Sequence, residues 1–209
     1  MVDQDLLDRE AQAEVANAIR AAESKTSGEI VTVVARQAHT YLAFALIWPA
    51  LFALIVPGPV AHFVEFLDTP EELYALQLAV FFVLELILLI PRVRIWTVPY
   101  SIKRARAGQL AREQFFARGL HLTRGRTGVL IFVSVAERYV EILADAGIHT
   151  KVGDAEWSAI VSSFVSRVSQ GQTVVGFVRA VTAVGDVLAT HFPGGRTDTN
   201  ELPDRLFVI

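Results

Sequence analysis

Arg36 and Arg92 are consecutive basic residues, and the 55 residues between them, Gln37 to Pro91, contain neither Lys nor Arg. Two apolar stretches lie in this gap: Leu42–Val56 (LAFALIWPALFALIV) and Tyr74–Ile90 (YALQLAVFFVLELILLI). A helix needs about 20 mostly apolar residues to cross a bilayer. Thr69-Pro70-Glu71-Glu72 reads as an N-cap, a proline in the first turn and a capping-box glutamate, so the second stretch extends to a helix over 70–90, stopped by Pro91. The first predicts a helix over about 40–57, kinked at Pro49. The charges in the connecting loop, Glu65, Asp68, Glu71 and Glu72, are all acidic. Beyond the gap come Arg92, Arg94, Lys103, Arg104, Arg106, Arg112, Arg118, Arg124 and Arg126, opposed only by Glu113. Basic residues outside the pair and none in its loop are the positive-inside pattern. The expectation is a two-helix transmembrane hairpin in an integral protein of the cytoplasmic membrane, with both termini cytoplasmic. A buried helical pair or a re-entrant loop is the alternative.

Gln77 and Glu85 fall inside the second apolar stretch as membrane-embedded polar residues. An ionisable group there costs about 2.5–3.5 kcal/mol on insertion scales. Glu85 should therefore face the first helix, a second subunit or water, serving either a proton or ion pathway or helix packing.

Composition narrows the rest. The chain is 53% hydrophobic and 20% charged, too apolar for a disordered protein. It has no cysteine, so neither a disulfide framework nor a thiolate site is open to it. A net charge of −3 gives no case for nucleic acid. The acidic, amphipathic start MVDQDLLDREAQAEV does not resemble a signal peptide.

Outside the gap the pattern alternates between helix and strand. Leu6, Leu7, Ala11, Val15, Ile19 and Ala22 have helical spacing over 3–24, and Thr26-Ser27-Gly28 ends that helix. Ile30–Val34 is a β-branched strand. Residues 101–119 form a basic helix, placed to meet anionic lipid headgroups. Val129–Val133 and Arg138–Ala144 read as a strand pair joined by a tight connection. Asp154 and Thr173 are expected to cap two further helices, the second running to about His191. The fold class is α/β: an α/β/α sandwich with a short mixed sheet, the first two strands parallel, interrupted by the hairpin. The domains are then 1–38 plus 95–193 (the sandwich), 39–92 (the hairpin) and 194–209 (a C-terminal tail).

Three segments carry a family resemblance: Ala21–Val34 (AAESKTSGEIVTVV), Arg126–Ser134 (RTGVLIFVS) and Glu137–Asp145 (ERYVEILAD). With the paired C-terminal helices and the Asn200-Glu-Leu-Pro203 tail they resemble the TPM domain, and most closely a bacterial branch of membrane proteins carrying it. The resemblance implies an α/β/α sandwich, divalent-metal binding in some members and phosphatase activity in plant members. The family's usual Asn-Gly pair before the second strand is Thr127-Gly128 here, and its usual terminal anchor is replaced by an internal hairpin.

No nucleotide-binding, zinc-protease or serine-hydrolase motif is present, and the five histidines are scattered. A metal-assisted hydrolase using Ca²⁺ or Mg²⁺ would need converging oxygen ligands, for which Glu29, Glu141 and Asp145 are the candidates. Arg126 and Arg138 are candidates for a phosphate or other anion. Each also has a structural role open to it, in a turn or at a strand end. Two functions follow: a membrane-anchored accessory or interaction protein, binding another membrane protein or its own copy, or a divalent-metal-dependent phosphatase tethered to the bilayer.

Overall fold

A computed structural model describes residues 8–63, 69–195 and 200–209. The extreme start of the first expected helix and most of the acidic loop between the apolar helices lie outside the described residues. The chain divides into two compact units, one of residues 1–38 with 104–209 and one of residues 39–103.

The first unit is a mixed α/β structure. Helix α1 (Arg9–Glu23) is capped by Asp8 and buries Ala11, Val15, Ile19 and Ala22, one stripe at helical spacing. Strand β1 (Glu29–Ala35) is buried at all seven positions, which is why its sequence is almost continuously apolar. Strand β2 (Gly128–Ser134) pairs parallel to β1, from Glu29↔Gly128 to Ala35↔Ser134. Strand β3 (Tyr139–Ala144) returns antiparallel along β2.

The C-terminal segment, read from sequence as a tail, supplies a fourth strand, β4 (Leu206–Val208), parallel to β1 on its other edge. The sheet order is β3-β2-β1-β4. Three residues are too few to show a period of two, so only the apolar ending hinted at this strand.

Helices cover both faces of the sheet. Ile30, Val34, Val129, Ile131, Val133 and Leu206 pack with α1, α8 (Asp154–Ser169) and α9 (Thr173–His191). Val31, Val33, Ala35, Leu130 and Phe132 meet Ala111 and Phe115 of α6 (Tyr100–Ala117) and Leu120 of a short 3-10 turn. Phe164 and Phe177 join α8 to α9 edge to face, ring centres 4.8 Å apart. Asp154 and Thr173 are the first helical residues, not the caps: Gly153 and Gln172 precede them. Asp154 acts instead with Glu156 as first-turn negative charge, and Thr173 is buried.

In the second unit, the expected 40–57 helix is two: α2 (Leu42–Ile55), with Pro49 inside it, and α3 (Pro57–Phe63). Together they give 22 residues, with a stretch of mean hydropathy 2.0 within them. The predicted capping box is present at Thr69 and Glu72, opening α4 (Pro70–Leu88). After Pro91 the chain continues as α5 (Pro91–Thr97), bent by 107° from α4. Helices α2 and α4 pack together, and α2 buries Ala45, Pro49 and Ala53, a stripe of small side chains that lets backbones approach. In the first unit α9 is also long and apolar enough to cross a membrane, but its stripe of Phe177, Val181, Val184 and Leu188 is in the core.

One contact fixes how closely α9 approaches α1. A Cβ on Gly185 would lie 2.5 Å from Ala22 Cβ and 3.1 Å from its Cα. Replacing a mid-helix Gly by Ala ordinarily gains about 1 kcal/mol from propensity, whereas overpacking a core costs about 1–3 kcal/mol. Helix backbone cannot yield as a side-chain tip can, so the second effect wins. Gly185→Ala should lower stability by about 1 kcal/mol or more in chemical denaturation.

Candidate functional site

The first unit holds a polar pocket of about 320 Å³ beside the start of β1. Its walls are the last turn of α1 (Arg20, Glu23, Ser24), the turn leading into β1 (Thr26, Gly28, Glu29), Gly194 and Gly195 after α9, and Asn200 and Asp204 before β4. Local hydrogen bonds build it. Thr26 Oγ1 donates to the Phe192 carbonyl at 2.6 Å and accepts from Gly28 N–H at 3.1 Å. Gly194 N–H donates to the Lys25 carbonyl. A Cβ at Gly28 would stand 2.9 Å from Leu188 Cδ1 and 3.3 Å from the Thr127 carbonyl, so glycine lets the turn pass close to both.

Three carboxyl side chains face the pocket, and each is tied to backbone or to a neighbour. Glu29, only 8% exposed, accepts from Glu201 N–H at 3.0 Å and Leu202 N–H at 3.1 Å, one bond to each oxygen. Burial nevertheless pushes its carboxyl above the ordinary range, against the pull of those two bonds. Glu23 accepts from Ile30 N–H at 2.8 Å. Burial, then the nearby charges of Asp204 and Glu29, raise Glu23 to about 9, despite its bond to Ile30. Glu23 is therefore protonated at neutral pH. Asn200 Nδ2 donates to Asp204 Oδ1 at 2.6 Å, closing the outer wall.

Of the site residues read from sequence, Glu29 alone lines this pocket. Asp145 caps α7 (Ala146–His149) through Ala146 N–H at 2.8 Å, and its other oxygen pairs with Arg126 Nε at 2.8 Å. Arg126 also donates to the His121 carbonyl at 2.9 Å. These two candidates hold each other and the chain around Gly147, where a Cβ would meet Gly125 and Arg126 carbonyls at 2.4 and 2.6 Å.

Asp145 N–H bonds to Gly128, the partner of Glu29, which puts Asp145 two strands from Glu29, about 10 Å. Glu141 lies opposite Phe132, which pairs with Val33. It is thus two strands over and four residues along from Glu29, on the α6 side beside Tyr139. There burial and the Glu141 charge raise the Tyr139 phenol to about 12. Arg138, with φ +52°, sits in the β2–β3 turn at the opposite end of β2 from the pocket. In the second unit, Gln77 and Glu85 both lie on the half-buried stripe of α4, with Leu73, Val80, Leu84 and Leu88.

The metal set Glu29, Glu141 and Asp145 is therefore dispersed, and among the described residues no three Asp, Glu or His side chains are placed to hold a metal ion. Glu29 already spends both oxygens on backbone donors, so these residues do not fit a divalent-metal centre as they stand. Sequence reading missed Glu23 and Asp204. Glu23 looks like any solvated charge in a helix's last turn, and Asp204 reaches it only because β4 pairs with β1.

The pocket predicts a pH dependence. Unfolded, Glu23 titrates near 4.5; folded, near 9. Between these values the folded state keeps a proton that the unfolded state has released, so raising the pH withdraws stability. The contribution is full below about 4.5 and gone above about 9. Thermal unfolding should show stability falling over this window, and Glu23→Gln should flatten the fall.

Residues 91–187, from α5 to most of α9, match the family model of the TPM domain. Among solved structures, the chain is similar to the NMR structure of the BA42 protein from the psychrophilic bacterium Bizionia argentinensis. The identity is 20% and the TM-score 0.62, covering 99% of this chain and 97% of that one. At that identity the likeness concerns the fold. No curated protein sequence matches. The resemblance carried by the Arg126–Ser134 and Glu137–Asp145 segments is thus met by a TPM-domain model that matches across both of them, over just under half of the chain.

Proposed function

We propose that this is a membrane-anchored TPM-domain protein of accessory or interaction type, held at the cytoplasmic membrane by residues 39–103 with its α/β unit on the cytoplasmic side. One observation carries the reading. Among the described residues, nineteen of the twenty-four exposed large apolar side chains lie between Leu42 and Tyr100. Soluble monomers rarely expose contiguous apolar surface beyond a few hundred Å². In α4, Tyr74, Leu78, Phe82, Val83, Leu86 and Ile87 face outward while Gln77 and Glu85 are on the covered stripe. Apolar groups outside and polar groups inside is the arrangement lipid favours. The cation-rich chain after Pro91 and the lack of Lys or Arg from Gln37 to Pro91 support the orientation. Exposed Arg104, Arg106 and Arg112 of α6 are suited to anionic headgroups, at about 1 kcal/mol each.

The domain's role in this reading is to bind another membrane protein or a second copy of itself. The dispersal of Glu29, Glu141 and Asp145 supports binding over hydrolysis. One observation favours the second reading, a divalent-metal-dependent phosphatase. The Glu23, Glu29 and Asp204 side chains line one acidic pocket, and hard cations such as Ca²⁺ and Mg²⁺ take oxygen ligands, although these three are not arranged as a ligand set.

Two measurements test this. The protein has no native cysteine, so single cysteines report cleanly. In intact cells, Glu71→Cys should react with an impermeant maleimide and Ser169→Cys should not; the reverse pattern would overturn the orientation. Full-length protein in detergent should show no phosphomonoester hydrolysis with Mg²⁺ or Ca²⁺ above that of a Glu23→Gln/Asp204→Asn variant. Metal-dependent turnover lost in that variant would establish the phosphatase instead.

A further inference from the structure

We infer that α5 and the turn after it form an interfacial elbow, lying along the headgroup boundary of a phospholipid bilayer. The partner is the boundary zone itself, neither the hydrocarbon interior nor a protein groove. The inference rests on the membrane reading above and specifies where these residues sit in it.

Four observations converge. First, α4 has 19 residues, which at 1.5 Å per residue is about 28 Å, close to the hydrocarbon thickness of about 30 Å. Its end is where a spanning helix would leave the core. Second, the chain turns there by 107°, much nearer to perpendicular than to a continued span. Third, the side chains change character at the bend. Trp96 is 83% exposed and Tyr100 65%, beside exposed Arg92. Trp and Tyr concentrate at bilayer boundaries, where an apolar ring and a polar edge are both accommodated, and arginine suits the phosphate level.

Fourth, most of the elbow's terminal backbone groups are met by protein donors. A helix leaves its last four carbonyls without intrahelical donors. In α5 these belong to Arg94, Ile95, Trp96 and Thr97. Thr97 Oγ1 donates to the Arg94 carbonyl at 2.8 Å, Lys103 Nζ to Ile95 at 3.3 Å, and Trp48 Nε1, from α2, to Thr97 at 3.2 Å. At the other end Pro91 has no N–H to satisfy, while Val93 and Arg94 donate to the Ile90 carbonyl. A seven-residue helix in open water has no need of this, because water would serve. On the hydrocarbon-facing side of the boundary water is scarcer, and there each unmet group costs free energy.

The test is site-directed spin labelling of full-length protein in phosphatidylcholine/phosphatidylglycerol vesicles, with single cysteines replacing Trp96 or Phe82 of α4. Depth is read from the ratio of collisions with oxygen to collisions with a water-soluble nickel chelate. The label at 82 should be deep and nickel-inaccessible; the label at 96 should sit at headgroup depth, reached by both quenchers. Position 96 as deep as 82 would make α5 a continuation of the span and overturn the elbow. Position 96 with the collision ratio of a free aqueous label, while 82 stays deep, would put α5 off the membrane and overturn it equally. A label at 82 exposed to nickel would instead sink the membrane reading, and the elbow with it.

Discussion

Strand β1 is buried along its whole length and hydrogen-bonded on both edges, and the rest of the first unit is arranged to make that possible. A central strand with unmet backbone groups would be costly, so both neighbours must arrive. Neither is close in sequence. β2 begins at Gly128, after the entire 39–103 unit and α6, and β4 is drawn from the last few residues described. The crossover joining two parallel strands usually needs one helix. Here it carries an apolar insertion as well, so the same polypeptide must keep β1 inside one unit while turning leucines and phenylalanines outward in the next.

What could be read in advance was what local chemistry announces. The capping box at Thr69, the proline at 70 and the strand pair around Ser134–Glu137 act within a few residues, and each appears where read. What escaped depends on long-range pairing. β4 exists because Thr32 to Val34 offer an open edge to Leu206 to Val208. The pocket then exists because β4 brings Asn200 and Asp204 to the end of α1. The candidate residues were plausible in type, but type does not give convergence. Asp145 and Arg126 were chosen as ligand groups and turn out to bind one another, which an arginine with φ +57° beside a helix cap does for local reasons.

Glu23 illustrates how burial and neighbouring charge make a carboxyl chemically special. Its environment favours the neutral acid: burial, with Asp204 and Glu29 adding negative charge, outweighs one backbone donor. Perturbed acids of this kind are common in functional sites but also arise wherever acidic residues are packed together. Glu29 spends both oxygens positioning Glu201 and Leu202 ahead of β4, so its first effect is to hold the strand that completes the sheet.

The position of the pocket follows from how the sheet's other end is occupied. In open α/β sheets ligands usually gather beyond the C-terminal ends of the parallel strands. In this chain the residues leaving β1 are pinned there. Arg36 N–H bonds to Ile209, Val135 N–H to Ala35, Ala136 N–H to Arg36, and Ala38 N–H to the Glu137 carboxylate. Ser134 closes the set through a short bond to the other Glu137 oxygen, and Glu137 is buried. That end is a clamp on the connection into the 39–103 unit, with its donors and acceptors already matched. The opposite end, where α1 hands over to β1 and the C-terminal segment enters β4, keeps the space and the grouped carboxyls. A chain that inserts its apolar unit directly after β1 thereby shifts its open polar pocket to the N-terminal side of the sheet.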